Sequence, residues 1–112
     1  ISTDLHTGSM NGGMKTLNNV MSKFLNMGLS IQEVIAATTS KPAHYIQKKD
    51  LGHLSVGTKA DVAIHSLRKG DFGFIDTRGK RMKGNQKLEC ELTLRDGKVV
   101  YDLNGLASID WN

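Results

Sequence analysis

Two residues near the start of the chain have the types and the spacing to do chemistry. Asp4 and His6 stand two positions apart in a strand-like run, Ile1 to His6. Because side chains alternate along a strand, both would point to the same side. A carboxylate at the carboxyl end of a barrel strand can take a proton from a water molecule and pass it to a leaving group. The spacing alone leaves open a plainer role, that of a turn or cap residue.

A glycine-rich stretch comes directly after this run. Three of the seven residues from Thr7 to Gly13 are glycine, which predicts a loop. The backbone N–H groups of such a loop, leading into a helix, could hold an anion. The stretch matches neither the phosphate-binding loop that ends in Gly-Lys-Ser/Thr nor the dinucleotide motif G-x-G-x-x-G. A flexible loop over a cleft is an equally good interpretation.

The other histidines do not extend Asp4 and His6 into a metal site. We expect His44 on a short helix, His53 in a glycine turn and His65 at a strand end, without the spacing of metal ligands. Zinc sites normally use three or four protein ligands. The chain by itself therefore does not predict a complete metal centre.

Composition limits the class of partner. The chain has 112 residues and a formal charge of +4, from 15 Lys and Arg against 11 Asp and Glu. The basic residues are densest in a glycine-containing segment, Arg78 to Lys87, which is interpreted as a solvated loop because no nucleic-acid motif accompanies it. No apolar run approaches the length of a membrane span. We expect neither a nucleic-acid nor a membrane partner.

The single cysteine, Cys90, lies among alternating apolar residues. It is interpreted as a buried packing residue and not as a nucleophile. One cysteine cannot form an internal disulfide, which favours a reducing compartment, and we expect a cytoplasmic location.

Helices are predicted after the glycine loop. Apolar residues follow helical spacing from Met14 to Leu25, and Gly28 is placed to end that helix. Ser30 and Glu33 form a capping box at the start of a second helix, which stops near Thr39. Pro42 suits the first turn of a short third helix.

The second half of the chain predicts antiparallel strands. Short apolar runs lie at Val62 to Ile64 and at Phe72 to Ile75, and strict alternation marks Leu88 to Arg95. Asp96-Gly97 then predicts a type I′ turn before Lys98 to Tyr101. An isolated strand over residues 1–5 would have to pair outside the chain or remain poorly ordered. The sequence, which begins at Ile1 and not at Met, looks cut from something larger.

Four segments lie in this order along the chain: Ile1–His6, Val34–Ala43, Leu51–Asp61 and Leu94–Tyr101. Together they resemble the amidohydrolase superfamily. The second of them has Lys41 where the family usually has Asn. The run Asp4 to Gly13 is similar to the amidohydrolase/deacetylase branch, which includes dihydroorotase-like and adenine-deaminase-like proteins.

The resemblance implies an α/β fold in two parts. Residues 1–47 would be the last strand, active-site loop and helices of a TIM-type (β/α)8 barrel. Residues 48–112 would be part of a small antiparallel β-sandwich domain. Asp61 and the glycines 52, 57 and 97 would maintain this fold, because polar residues in such turns mostly bond backbone.

The resemblance also implies a hydrolase of amide or ester bonds that uses one or two divalent metal ions, zinc being the expected metal. Asp4 would hold the bridging hydroxide, act as general base and then general acid, and serve as a metal ligand. The other ligands would come from earlier strands outside this chain, so the chain alone is expected to be inactive. The substrate cleft would be lined by His6, Ser9, Met10 and Asn11.

The expected partners are a small amide or ester substrate, the rest of the barrel and further copies of the protein in a homo-oligomer. The alternative is a non-catalytic binding or interaction module with an amidohydrolase-derived fold. Behaviour in solution distinguishes the hydrolase hypothesis from the module hypothesis. A part separated from the rest of its barrel would expose apolar helix faces and strand edges.

Overall fold

The computed structural model describes residues 1–3 and 16–111. Three helices come first: α1 (Leu17–Asn26), α2 (Ile31–Thr38) and α3 (Ser40–Tyr45). Three antiparallel strands come next in the order β1-β2-β3 within one sheet: β1 (Val62–Ile75), β2 (Arg81–Arg95) and β3 (Lys98–Asp102). The predicted succession of helices and then antiparallel strands is confirmed. No helix in the described part of the chain is long and apolar enough to cross a membrane.

Helix α1 begins later than its apolar spacing predicts. Thr16 caps it, and the Thr16 hydroxyl accepts a hydrogen bond from the backbone N–H of Asn19 at 3.3 Å. Met14, where the spacing starts, lies outside the described residues. Gly28 has a φ of +109° just after the helix, so the predicted glycine stop is confirmed.

The caps of the next two helices agree with the sequence. The Ser30 hydroxyl accepts a hydrogen bond from the backbone N–H of Glu33 at 3.1 Å, which confirms the N-cap of α2. Helix α2 ends at Thr38, and α3 comes next with Pro42 in its first turn, as predicted.

Strands β1 and β2 are longer than predicted. The apolar runs at 62–64 and 72–75 belong to one strand of 14 residues, interrupted by irregular pairing between Lys69 and Phe72. The basic stretch 81–87, interpreted as part of a solvated loop, belongs to β2, and only residues 76–80 remain a turn. These residues lack apolar alternation because pairing between the two strands, and not a buried face, holds most of them in place.

The turn between β2 and β3 carries the residues that its geometry requires. Asp96 and Gly97 have φ values of +50° and +76°, which confirms the predicted type I′ turn. The segment before β1 holds this turn: the Asp61 carboxylate accepts from the backbone N–H of Asp96 at 2.9 Å, and the carbonyl of Ala60 accepts from that of Gly97 at 2.9 Å. These bonds fit the structural role expected of Asp61.

The core lies between the helices and β2. Its buried cluster consists of Met21, Leu25, Val34 and Leu88, with Phe24, Leu29 and Ile31 packed against it. Helices and sheet share this cluster, although the predicted division of the chain falls between residues 47 and 48. That division stays a prediction.

The described end of the predicted first strand is not a strand. Residues 1–3 have no regular structure, and the backbone nitrogen of Ile1 donates to the carbonyl of Ala37 at 2.9 Å. None of the three described strands pairs with this segment. The bond from Ile1 attaches the start of the chain to the end of α2.

Candidate functional site

The residues predicted to do chemistry lie outside the described part of the chain. Asp4, His6, Ser9, Met10 and Asn11 all fall within residues 4–15. Their roles in catalysis, substrate binding and metal binding therefore stay predictions. The structure does describe the sequence neighbours of this segment, residues 1–3 before it and the start of α1 after it.

A cleft of about 710 Å³ opens between the helices and the sheet. Helix α1 contributes Leu17, Asn18 and Met21 to its wall, and α2 contributes Ile35. The remaining wall comes from α2–α3, the segment before β1, and the strands: Thr38, Thr39, Gly52, His53, Leu54, Asp61, Val62, Ala63, His65, Cys90 and Thr93. The cleft is thus mostly apolar, with a few polar groups, and it starts at the helix next to residues 4–15.

His65 is a titratable group in this cleft, and its side chain bonds to helix α1. Its Nε2 lies 2.9 Å from Oδ1 of Asn18, in the first turn of α1, so the imidazole N–H donates to the amide oxygen. Burial lowers the pKa of His65 below its ordinary value of 6.5, which keeps the ring neutral at neutral pH.

The expected position of His65 at a strand end is wrong. It is the fourth residue of β1, just after an irregularity in the pairing between Ile64 and His65. The strand continues through polar residues that carry no apolar signal in the sequence. The extra residue at this irregularity is Glu91 of β2, because Ile64 pairs with Leu92 and His65 pairs with Cys90.

Cys90 stands opposite His65 on β2 and lines the same cleft. It is half-buried, and its Sγ lies 3.3 Å from Oγ1 of Thr93 and 3.7 Å from the carbonyl of Leu92. Cys90 is thus less buried than the sequence predicts, and its packing role stays a prediction.

Helix α1 carries three polar residues at spacing four, which we call the polar seam: Asn18, Ser22 and Asn26. Residues four apart lie on one helix face, and here each of them bonds to the sheet. Asn18 reaches His65 on β1, whereas the other two reach the backbone of β2. This seam was not predicted, although the regular spacing of small polar residues was its available signal.

The two C-terminal members of the seam bond to β2 along the edge that β3 does not cover. The fully buried Ser22 hydroxyl accepts from the backbone N–H of Leu88 at 3.0 Å and donates to the carbonyl of Asn18 at 2.7 Å. The Asn26 amide donates to the carbonyl of Gln86 at 2.8 Å and accepts from the N–H groups of Asn85 and Gln86 at 3.0 and 3.3 Å. Backbone groups of β2, among them the buried N–H of Leu88, are thereby satisfied by side chains.

Two glycines allow these close approaches. A Cβ at Gly84 would lie 2.6 Å from Cγ of Asn26, so a side chain there would displace the seam. A Cβ at Gly52 would lie 2.5 Å from the carbonyl oxygen of Thr39, and the φ of Gly52 is +81°. The second case supports the expectation that Gly52 maintains the fold.

Metal ligands do not assemble within residues 1–3 and 16–111. No three His, Cys, Asp or Glu side chains in these ranges are grouped so that they could hold an ion. His53 is bonded locally, with Nε2 2.7 Å from the carbonyl of Lys49 and Nδ1 3.0 Å from the Ser55 hydroxyl. The described residues alone therefore do not fit a metal centre.

Comparison with known proteins gives a consistent result. The model of the amidohydrolase family matches residues 1–101. A deacetylase of Brucella anthropi is 38% identical over 89 residues, which cover 80% of this chain and 22% of the relative. A deacetylase of Agrobacterium fabrum is 37% identical over 79 residues, covering 70% and 19%. A dihydroorotase of Methanopyrus kandleri is 31% identical over 101 residues, covering 82% and 22%. The chain spans about a fifth of the length of these relatives.

Two solved structures share the fold. The crystal structure of a dihydroorotase matches with a TM-score of 0.75 and 27% identity, covering 88% of this chain and 27% of that one. The crystal structure of an adenine deaminase matches with a TM-score of 0.71 and 24% identity, covering 77% and 23%. Since the family model matches residues 1–101 and the relatives cover most of the chain, the chain belongs to the amidohydrolase family.

Proposed function

We propose that this chain is the C-terminal part of a metal-dependent amidohydrolase that hydrolyses a C–N amide bond, as in deacetylation, or an ester bond. One observation carries the proposal: the family match runs through residues 1–101 and so includes the segment from Asp4 to Gly13. Relatives named as deacetylases, 38% and 37% identical, favour an N-acyl substrate of small size.

Asp4 is the proposed general base and acid. Its carboxylate takes a proton from the attacking water and returns a proton to the departing nitrogen or oxygen, a transfer that typically contributes about 10²–10⁴-fold to the rate. The side chains of His6, Ser9, Met10 and Asn11 are the proposed substrate contacts. These roles rest on the resemblance of the segment to the family.

The metal would be held largely by residues outside this chain. Within residues 1–3 and 16–111 no group of side chains provides a ligand set, so Asp4 is the proposed contribution of this chain. A bound divalent ion such as zinc would act as a Lewis acid and would lower the pKa of water. Residues 1–47 are proposed to complete a (β/α)8 barrel, and residues 48–112 to be part of a β-sandwich.

The described residues support the proposal by anchoring the helix that comes after Asp4 in the chain. Helix α1 is bonded to β1 and β2 at the three positions of the polar seam and packs Met21 and Leu25 into the core. A segment that leads into such a helix is joined at one end to a rigid element. Catalytic groups need this kind of support to keep their geometry.

The test compares two carboxylates in the protein encoded by the complete reading frame. Asp4→Asn is expected to lower kcat by about 10²–10⁴-fold on N-acyl amino acids or simple esters, with the metal retained by elemental analysis. Asp61→Asn is the matched control, because its carboxylate bonds the backbone of Asp96. Asparagine keeps an oxygen that can accept this bond, so the control removes a carboxylate charge and should leave kcat unchanged.

Two outcomes would contradict the proposal. Full turnover in Asp4→Asn would remove Asp4 from the mechanism. The proposal that the protein is an enzyme would be contradicted if the reading frame starts within a few codons of Ile1. Such a frame would lack the upstream His-x-His on an early strand and the further metal ligands. The chain would then be a binding or interaction module with the family's fold.

A further inference from the structure

We propose that Asn104 is a site of spontaneous deamidation, at which the loss of one side-chain amide releases the segment after β3 from strand β2. Residues 103–111 form that segment, and the dipeptide Asn104-Gly105 lies near its start. This chemistry is independent of the proposed hydrolysis, because it needs only water and the groups of one turn.

Deamidation requires an asparagine side chain next to an accessible backbone nitrogen. The backbone nitrogen of Gly105 attacks Cγ of Asn104 and forms a new C–N bond, and the side-chain nitrogen leaves as ammonia with the proton of the Gly105 N–H. Water then opens the five-membered imide at either carbonyl, which leaves aspartate or isoaspartate at position 104. Glycine favours the attack because it has no Cβ to crowd the ring. One water is consumed, one ammonia is released, and an amide becomes a carboxylate.

The turn at Asn104 leaves the attacking nitrogen available. Both residues of the dipeptide are exposed, and Gly105 has a φ of +68°. Among the residues that the structure describes, no acceptor bonds to the N–H of Gly105, whereas the Gly105 carbonyl accepts from the N–H of Ser108 at 3.0 Å. The nitrogen therefore breaks no hydrogen bond when it attacks the side chain of Asn104.

The amide of Asn104 helps to hold this turn to the sheet. Its Nδ2 donates to Oε2 of Glu91 at 2.8 Å, and Oε1 of the same carboxylate accepts from the Ser66 hydroxyl at 3.1 Å. Next to this contact, the backbone N–H of Leu103 donates to the carbonyl of Glu91 at 2.9 Å. Glu91 therefore joins β1, β2 and the segment after β3 at one point.

The product of deamidation would turn this attraction into repulsion. Asparagine offers an N–H donor to the Glu91 carboxylate, whereas an ionised aspartate at position 104 offers only acceptors and a second negative charge. Like charges that face each other in a sheet destabilise the pairing. In the described part of the chain the two ion pairs are Lys59–Asp96 and Arg68–Glu89, so neither one neutralises Glu91. The contact of residues 103 and 104 with β2 should therefore open.

The experiment incubates the full-length protein in warm, mildly alkaline buffer and follows each asparagine by residue-resolved mass spectrometry. Asn104 should be converted to aspartate and isoaspartate, while Asn85 keeps its amide over the same time. Asn85 is the matched internal control, because it is also exposed but lies within β2 and precedes glutamine. Asn11-Gly12 has the same dipeptide but lies outside the described residues, so it is read from a separate peptide.

Three variants test the structural consequence. Asn104→Asp imitates the product and should speed amide hydrogen exchange at Leu103 by about two- to tenfold, because a bond to a charged group is lost at an exposed site. Asn104→Gln keeps an N–H₂ donor and should exchange at close to the wild-type rate. Adding Glu91→Gln to Asn104→Asp removes the repulsion and supplies a donor from the other side, so slow exchange should return.

The reaction and its consequence can fail separately. If Asn104 keeps its amide for as long as Asn85 does, Asn104 is not a deamidation site. If Leu103 exchanges equally fast in Asn104→Asp and Asn104→Gln, or if Glu91→Gln brings no recovery, loss of the amide does not release the segment. None of these outcomes affects the proposed hydrolysis, which Asp4→Asn tests.

Discussion

Both halves of strand β2 pair with β1 along one edge, but along the other edge they find their hydrogen-bond partners by different means. Residues 92–95 pair with the backbone of β3 in an antiparallel ladder. Residues 85–88 lie where β3 does not reach, and side chains of Ser22 and Asn26 serve their backbone groups. Both halves meet the rule that buried backbone groups need partners.

This contrast shows which contacts depend on particular side chains. A backbone ladder survives most substitutions, because the bonding groups are common to all residues except proline. The bonds from α1 exist only while Ser22 and Asn26 keep their side chains and while Gly84 leaves room for Asn26. The first half of β2 should therefore be the more sensitive to mutation.

Leu88→Ala should have the largest effect. Leu88 is 3% exposed and packs with Met21, Leu25 and Val34, so truncation leaves a cavity. We expect a loss of about 2–5 kcal/mol in the free energy of unfolding, measured by chemical denaturation. Leu94→Ala, in the half paired with β3 and only partly buried, is the control and should cost less. Equal losses would show that the two halves do not differ in sensitivity.

Ser22→Ala tests the side-chain bond itself. The backbone N–H of Leu88 would lose its partner in a buried position, which costs about 1–3 kcal/mol. Amide exchange at Leu88 should become faster. Ser66→Ala, whose hydroxyl donates to a Glu91 carboxylate that Asn104 also bonds, should have a smaller effect. Unchanged exchange at Leu88 would mean that another group bonds this N–H.

Gly97→Ala probes the half held by β3. The φ of +76° at Gly97 is a left-handed conformation that costs an L-residue about 1–2 kcal/mol. Asp96→Asn is the control, because asparagine tolerates positive φ and the bond to Asp61 uses the backbone N–H of residue 96. A loss for Gly97→Ala larger than that for Leu88→Ala would reverse the ranking of the two halves.

Acidification should have the smallest effect, and only on the helix side. Because the pKa of His65 is lowered in the folded protein, the unfolded state binds a proton more readily. The free energy of unfolding should therefore fall as the pH drops below about 6.5, and His65→Gln should flatten this dependence. Asp61, His53 and Cys90 line the same cleft and are kept in both proteins. Residues 92–102 contain no histidine, so the β3 side should contribute nothing to this pH dependence of the free energy of unfolding.

The contrast between the halves also marks which features the sequence could predict. The Ser30 cap, the Gly28 stop and the Asp96-Gly97 turn are local, and each was predictable from neighbouring residues because turn and cap chemistry acts over a few positions. The continuous course of β1 was not predictable, since Gly70 and Asp71 interrupt the apolar pattern where the pairing is irregular.

In the candidate site, too, only features that depend on neighbouring residues could be predicted from the sequence. Asp4 and its neighbours could be proposed from spacing and from resemblance to a family. The link between His65 and Asn18 could not, because it joins residues 47 positions apart and His65 was expected at the end of a short strand. On α1, the spacing of four shows that the polar residues share a face, but not that this face bonds to β1 and β2.

The bond between Ser22 and Leu88 also orders events in time. It joins residues 66 positions apart, so α1 leaves the ribosome well before the strand that it serves has been made. Contacts of such sequence separation close late, after the cost of bringing distant segments together has been met. Until then the edge of β2 that Ser22 serves is unpaired, and an unpaired strand edge can pair with strands of other nascent chains.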